Sequence, residues 1–204
     1  MLSVFISTSV IGQDFGIKDD DIPKGLEAGD LAPAFEAQTL DKETFSLNDA
    51  LEENAVALIF YRGFWCPHCS RILSAYADSL SYLTDLGIRI VAVTPETYEN
   101  VDKTIENTGV PFTILADPDG KIMRLYDVDF RVTDAYNQKI VNIKGASIEE
   151  INGTDVAELP IPATYLIVKD AESGKNKIVW RHFDPNYKKR ARVLDIRRAF
   201  LDAQ

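Results

Sequence analysis

Cysteine and histidine are scarce in this chain. Its 204 residues hold two cysteines, Cys66 and Cys69, and two histidines, His68 and His182. Two cysteines cannot form a disulfide framework, and a chain of this length buries enough apolar surface to fold without one. A tetrahedral zinc site would need two ligands beyond the thiols, and His68 lies too close to both to complete it, so no metal is expected. Positive charge is also short: 22 Lys and Arg face 32 Asp and Glu, a formal net charge of −10. That balance argues against a nucleic-acid binder, which needs a basic surface to meet phosphates. No apolar run is long enough to span a bilayer, so stable membrane insertion is not expected. Asp117, Asp119 and Gly120 read as a turn, because no Glu completes a calcium-loop spacing. Internal repeats and low-complexity tracts are absent. What remains, at 46% apolar and 26% charged residues, is an ordinary globular composition. The length suits one domain.

Residues 1–28 stand apart from that domain. "MLSVFISTSVIGQ" is apolar and rich in Ser and Thr, and it runs into the acidic linker "DFGIKDDDIPKG". The pattern resembles the end of an export signal, with a small-residue exit near Ile11-Gly12-Gln13. It lacks a basic start, since the first lysine is Lys18; an N-terminal tail is the competing reading. An exported, periplasmic location is therefore expected over a cytoplasmic one.

From residue 29 to 204 the pattern is that of one α/β unit. "AVALIFY" (55–61) is a continuous run rich in branched residues, the mark of a strand buried on both faces of a mostly parallel sheet. After Cys66, apolar residues recur at Ile72, Leu73, Tyr76, Leu80, Leu83 and Leu86, which predicts one long helix ending at Gly87. "IRIVAVT" predicts a strand, "PETYENVDKTIENTG" a helix, "PFTILADPDG" a strand and turn, and "KIMRLYDV" a short helix. Residues 128–160 are less periodic and read as an insertion. "IPATYLIVKD" and "IVWRHF" flank a hairpin loop, and "KKRARVLDIRRAFLDAQ" is an amphipathic helix with Val193, Ile196, Phe200 and Leu201 inward. This order predicts a three-layer sandwich with a central mixed sheet between helices.

The thiols sit where the buried strand gives way to the helix, in "YRGFWCPHCS". Free N–H groups and the positive dipole end at a helix start favour a thiolate at Cys66. Cys69 lies one turn on, on the same side, placed to attack a mixed disulfide on Cys66. Pro67 suits the first helical turn, where a missing N–H costs nothing. A static bridge across two residues would restrict little unfolded-chain entropy. A redox-active dithiol is the expectation, and it requires no cofactor.

"ALIFYRGFWCPHC" resembles the active site of the thioredoxin fold. Together with "GDLAPAFEAQTLD", "GIRIVAVTPET", "FTILADPDG", "ELPIPATYLIVKD" and "FDPNYKKRA", in that order, it resembles the peroxiredoxin-like branch of the alkyl hydroperoxide reductase/thiol-specific antioxidant (AhpC/TSA) family. The resemblance covers about residues 29–203. It implies a thioredoxin-like fold and a thiol-dependent, antioxidant type of enzyme. It also implies as partner a thioredoxin-like electron donor or a disulfide-bearing protein, with hydroperoxide as a further candidate substrate. True peroxiredoxins carry Thr-x-x-Cys; on that frame Cys66 takes the Thr position and Cys69 the peroxidatic one. Their distant peroxide-polarising Arg falls at Pro162. Pro162 instead resembles the cis-proline of thioredoxins, which would expose the backbone of Ile161 to an extended substrate; a trans-proline opening a strand is the other reading.

The tetrad Cys-Pro-His-Cys also resembles that of strongly oxidising periplasmic thioredoxin-fold proteins. A charged His68 would then favour the Cys66 thiolate. Trp65, after Phe64, is either a rim for a partner or part of the core. Arg62 either folds over the site or is a surface charge, the second being expected. The basic residues Lys188, Lys189, Arg190, Arg192, Arg197 and Arg198 read as a solvated helix face. These readings converge on disulfide exchange, with Cys66 attacking, Cys69 resolving, His68 tuning, and Pro162 and Ile161 holding substrate. Two alternatives stand beside it: peroxide reduction through Cys69 or Cys66, and a non-enzymatic redox sensor or binding module.

Overall fold

The structure is a computed structural model and describes residues 15–17 and 22–204. The N-terminal segment expected to be an export signal lies outside the described residues, apart from 15–17 and 22–28. In chain order the elements are β1 (Glu36–Gln38), β2 (Thr44–Ser46), α1 (Leu47–Glu53), β3 (Ala55–Phe60), α2 (Pro67–Asp78), α3 (Ser81–Thr84), β4 (Ile88–Thr94), α4 (Tyr98–Thr108), β5 (Thr113–Ala116) and α5 (Lys121–Leu125). They continue with β6 (Asp129–Arg131), α6 (Asp134–Lys144), α7 (Ile148–Asn152), β7 (Glu158–Pro160), β8 (Ala163–Lys169), β9 (Asn176–Phe183) and α8 (Val193–Asp202). Among the described residues, no helix is long and apolar enough to cross a membrane.

A five-stranded mixed sheet, ordered β5-β4-β3-β8-β9, forms the central layer. β3 runs parallel to β4 and antiparallel to β8, and β8 and β9 form the expected hairpin. β3 lies at the centre, wholly buried, because both its faces carry apolar side chains. Its Ala57 and Ile59, with Tyr61 just beyond, belong to the cluster holding Cys69, Leu73 and Tyr76 of α2 and Val101 of α4. Its Val56, Leu58 and Phe60 belong to the opposite cluster, with Leu47 and Leu51 of α1 and Ile122 of α5. The sheet thus has one core on each side, and the dithiol belongs to the α2 side.

Three segments differ from expectation. The helix after Cys66 breaks at Ser79, whose backbone leaves helical geometry (φ −117°, ψ 19°). The break lets α3 pack against α8 while Leu83 remains buried. The insertion is ordered: β6 and β7 pair antiparallel and enclose α6 and α7, and Ser147 and Glu150 cap α7 reciprocally. The last helix begins at Val193, so Lys188–Arg192 lie in a loop, and Leu201, expected inward, is 46% exposed.

Candidate redox site at the start of α2

The chain leaves β3 through a tight loop that sets the thiols in place. Tyr61 N–H still donates to Val93 O, 3.0 Å, extending the β3–β4 pairing, and Cys66 N–H closes a turn on Gly63 O, 3.1 Å. Gly63 adopts φ +141°, a backbone region closed to ordinary residues, and a Cβ there would lie 2.3 Å from Glu96 Oε1. The buried Glu96 carboxyl accepts from Phe64 N–H, at 2.9 and 3.0 Å, and from the Thr94 hydroxyl at 3.3 Å. Burial, chiefly, holds Glu96 well above the usual carboxylate range, and negative charge on Cys69 adds to the effect.

Cys66 is the N-cap of α2, and Pro67 opens the first turn. Its carbonyl accepts Cys69 N–H at 2.9 Å and Ser70 N–H at 3.1 Å, which fixes Cys69 one turn behind it. Both thiols are free, Cys66 2% and Cys69 0% exposed, and they are hydrogen-bonded to each other. Burial by itself would push the Cys69 thiol up. The hydrogen bond from Cys66, then the Arg190 and Arg62 guanidiniums, outweigh it and hold Cys69 well below an ordinary thiol. Cys66 moves up, because it is the donor in that hydrogen bond, because it is buried and because the Cys69 thiolate lies beside it. These surroundings favour the charged form on Cys69, whereas position at the helix start alone favours it on Cys66.

The cations responsible come from elsewhere in the chain. Arg190 Nη2 donates to Cys69 Sγ at 3.3 Å across 121 residues of sequence. Its Nε donates to Tyr187 O at 2.7 Å, and Tyr76 of α2 hydrogen-bonds to the neighbouring Ala191 O at 2.8 Å, so the loop is tied to α2. Arg62, expected at the surface, is 1% exposed. Its guanidinium lies 4.2 Å from the Tyr187 ring, 4.9 Å from Trp65 and 5.2 Å from Tyr136, and it donates to the Tyr136 hydroxyl. Trp65 is thus buried beneath Arg62, while Phe64 is half-buried.

Other expected site residues play different parts. His68 packs edge-on against Tyr187, ring centroids 5.5 Å apart. Its charged form is disfavoured by burial, then by Arg71 and Lys188, a direction opposite to that needed for a residue that supplies positive charge. The Ile161–Pro162 bond is trans, and both residues are buried. Ile161 N–H donates to Val128 O at 2.7 Å, one step beyond the β6–β7 pairing, so it is not free to bind an extended substrate. Arg190, Tyr187, Tyr136 and Glu96 escaped the sequence reading. Asp184-Pro185-Asn186 forms a turn just ahead of the loop that carries Arg190, with Asn186 N–H on Asp184 Oδ1 at 2.9 Å.

Comparison with known proteins follows the same lines. Peroxiredoxin Bcp of Bacillus subtilis (strain 168) is 29% identical over 103 residues, which are 50% of this chain and 65% of that protein. The chain spans under two thirds of the length of the curated relatives it matches. Among solved structures, peroxidoxin BcpB from Mycobacterium tuberculosis superposes with a TM-score of 0.67, covering 88% of this chain and 99% of that one at 14% identity. A yeast mitochondrial 1-Cys peroxiredoxin gives 0.63, covering 87% and 76% at 19% identity. At those identities the likeness is one of fold: the thioredoxin-type sandwich of peroxiredoxins. The sequence matches the AhpC/TSA family over residues 28–172, more than half its length; the chain belongs to the AhpC/TSA family.

Proposed function

We propose that this chain reduces small hydroperoxides through Cys69, is resolved by Cys66, and is returned to the dithiol by a thioredoxin-like donor. The observation that carries the reading is the Arg190 guanidinium 3.3 Å from the sulfur of Cys69. Arg190 occupies, from a different part of the chain, the role left open by Pro162. A cation at the attacking sulfur both stabilises the thiolate and meets the charge that develops as an O–O bond breaks. The Cys69 thiolate attacks one peroxide oxygen, giving Cys69 sulfenic acid and an alkoxide or hydroxide that takes up a proton. The Cys66 thiol, already hydrogen-bonded to that sulfur, then displaces water and forms the Cys66–Cys69 disulfide. A dithiol donor takes the bridge in exchange and is itself oxidised. Attack by Cys66 on a folded partner's disulfide, the first expectation, is less favoured, because Cys66 is buried and its thiol pKa is raised.

The test is steady-state peroxide consumption coupled to a thioredoxin and thioredoxin reductase. Wild type is expected to turn over; Arg190→Met should lose most of the turnover, and Cys69→Ser all of it. Turnover by Cys69→Ser equal to wild type would reject the reading.

A further inference from the structure

The ordered insertion delivers a side chain to the thiol site. Tyr136 lies in the first turn of α6, its N–H held by Thr133 Oγ1 at 3.3 Å. Its ring is pressed against the backbone of Gly16, where a Cβ would lie 2.4 Å from the ring. Its hydroxyl receives a hydrogen bond from Arg62 Nη2. Arg62 needs such a partner. It is a buried cation that makes no ion pair with a carboxylate among the described residues, and its Nε has no hydrogen-bond partner there. Its neighbours are three aromatic rings, which attract a cation but accept no N–H in a fixed direction. Among the described residues, the phenol oxygen is the side-chain acceptor that fixes how the guanidinium is turned.

We infer that Tyr136 is a positioning residue that fixes the Arg62 guanidinium over Trp65 and Tyr187 beside the dithiol, so the insertion is part of the catalytic apparatus. This rests on the reading that Cys69 is the attacking sulfur. The charged and titratable groups whose fields reach Cys69 are Cys66 from its own helix, Arg190 from the loop before α8, which also contacts its sulfur, Arg62 from the loop after β3, the buried Tyr61 and Glu96, and His68. Tyr136 reaches Cys69 only through Arg62.

The experiment uses the full chain in its reduced form. The pH dependence of Cys69 alkylation is measured site by site by mass spectrometry, together with the rate of oxidation by hydrogen peroxide. Tyr136→Phe keeps the ring and removes only the acceptor. It is expected to raise the Cys69 midpoint by about 0.3–0.5 unit and slow oxidation about two- to threefold, less than the loss of a charge in direct contact, because Arg62 keeps its charge and loses only its placement. In an Arg62→Met background the same substitution should do nothing further, since its effect passes through Arg62. Asn137→Ala is the control. It loosens α6 from α7, where Asn137 bonds Glu149 and the Ile148 N–H, but leaves the phenol in place. A shift in Tyr136→Phe that exceeds the control supports the inference. An unmoved midpoint in Tyr136→Phe, beside a low one in wild type, overturns it and leaves the proposed function standing. An equal shift in Asn137→Ala assigns the effect to packing and also overturns it. An ordinary thiol midpoint for Cys69 in wild type would remove the reading beneath both.

Discussion

Removing Arg190 should raise the pKa of Cys69, and the size of the effect follows from the geometry. The guanidinium nitrogen and the sulfur are 3.3 Å apart. Opposite unit charges near that separation attract by about 4 kcal/mol in a medium of intermediate polarity. Arg190 is only half-buried, so water screens the pair, and about a third of that attraction is a reasonable net. That share corresponds to about one pKa unit. Arg190→Met should therefore move the Cys69 midpoint up by roughly one unit, read as the pH dependence of its alkylation rate. Arg190→Lys should recover part of the shift, since a lysine keeps the charge but not the planar fork that also bonds Tyr187 O. A midpoint that stays put, or falls, in Arg190→Met would refute the argument that this cation holds the thiolate.

Further outcomes follow from the same structure. Cys69 lies below an unfolded thiol, so its contribution to stability is complete above about pH 8.5 and fades as pH falls towards the folded value. Cys66 is displaced upward, so its contribution is complete below about pH 8.5 and is lost as pH rises. The reduced protein should show a thiol-linked maximum of melting temperature near there, absent from the disulfide form; identical pH profiles for the two would contradict this. At neutral pH the reduced form should also melt higher, because oxidation removes the anion beside the buried Arg62; an oxidised form that melts higher would make the bridge structural. Gly63→Ala should cost about 1–3 kcal/mol through backbone strain alone, and more through displacement of Glu96; urea denaturation with an unchanged midpoint would contradict it. Residues 1–30 fused to a reporter active only outside the cytoplasm should direct it there, and a reporter that stays inside would reduce the apolar start to a tail.

The parts of this molecule that depend on neighbours in sequence were legible before the structure. The unbroken apolar run at 55–61, short and rich in branched residues, read as a doubly buried strand, and the change of period after Cys66 marked a strand-to-helix junction with both thiols on one face. Gly109 ends α4 in the left-handed conformation, as a glycine after a periodic segment suggests. Which thiol carries the charge was not legible, because local rules favour the residue at the helix start. The proposed assignment to Cys69 rests instead on Arg190, far along the chain, and on Arg62, which is surrounded by rings contributed in part by an insertion and a C-terminal loop. The helix break at Ser79 was hidden as well, since the apolar spacing continues through it into Leu83. The insertion looked irregular because its strands and α7 are short and its two helices are interrupted at Gly145 and Gly153.

The central claim is that Cys69 attacks and Cys66 resolves, and trapping the oxidised sulfur tests it most directly. Cys66→Ser and Cys69→Ser are each exposed to one equivalent of hydrogen peroxide with dimedone present, and the labelled residue is identified by mass spectrometry. Cys66→Ser is predicted to accumulate a sulfenic acid adduct on Cys69 within the first turnover, because nothing remains to resolve it, while Cys69→Ser stays unlabelled on the same timescale. Rapid labelling of Cys66 in Cys69→Ser, with none on Cys69 in Cys66→Ser, would contradict the account and restore Cys66 as the attacking thiol.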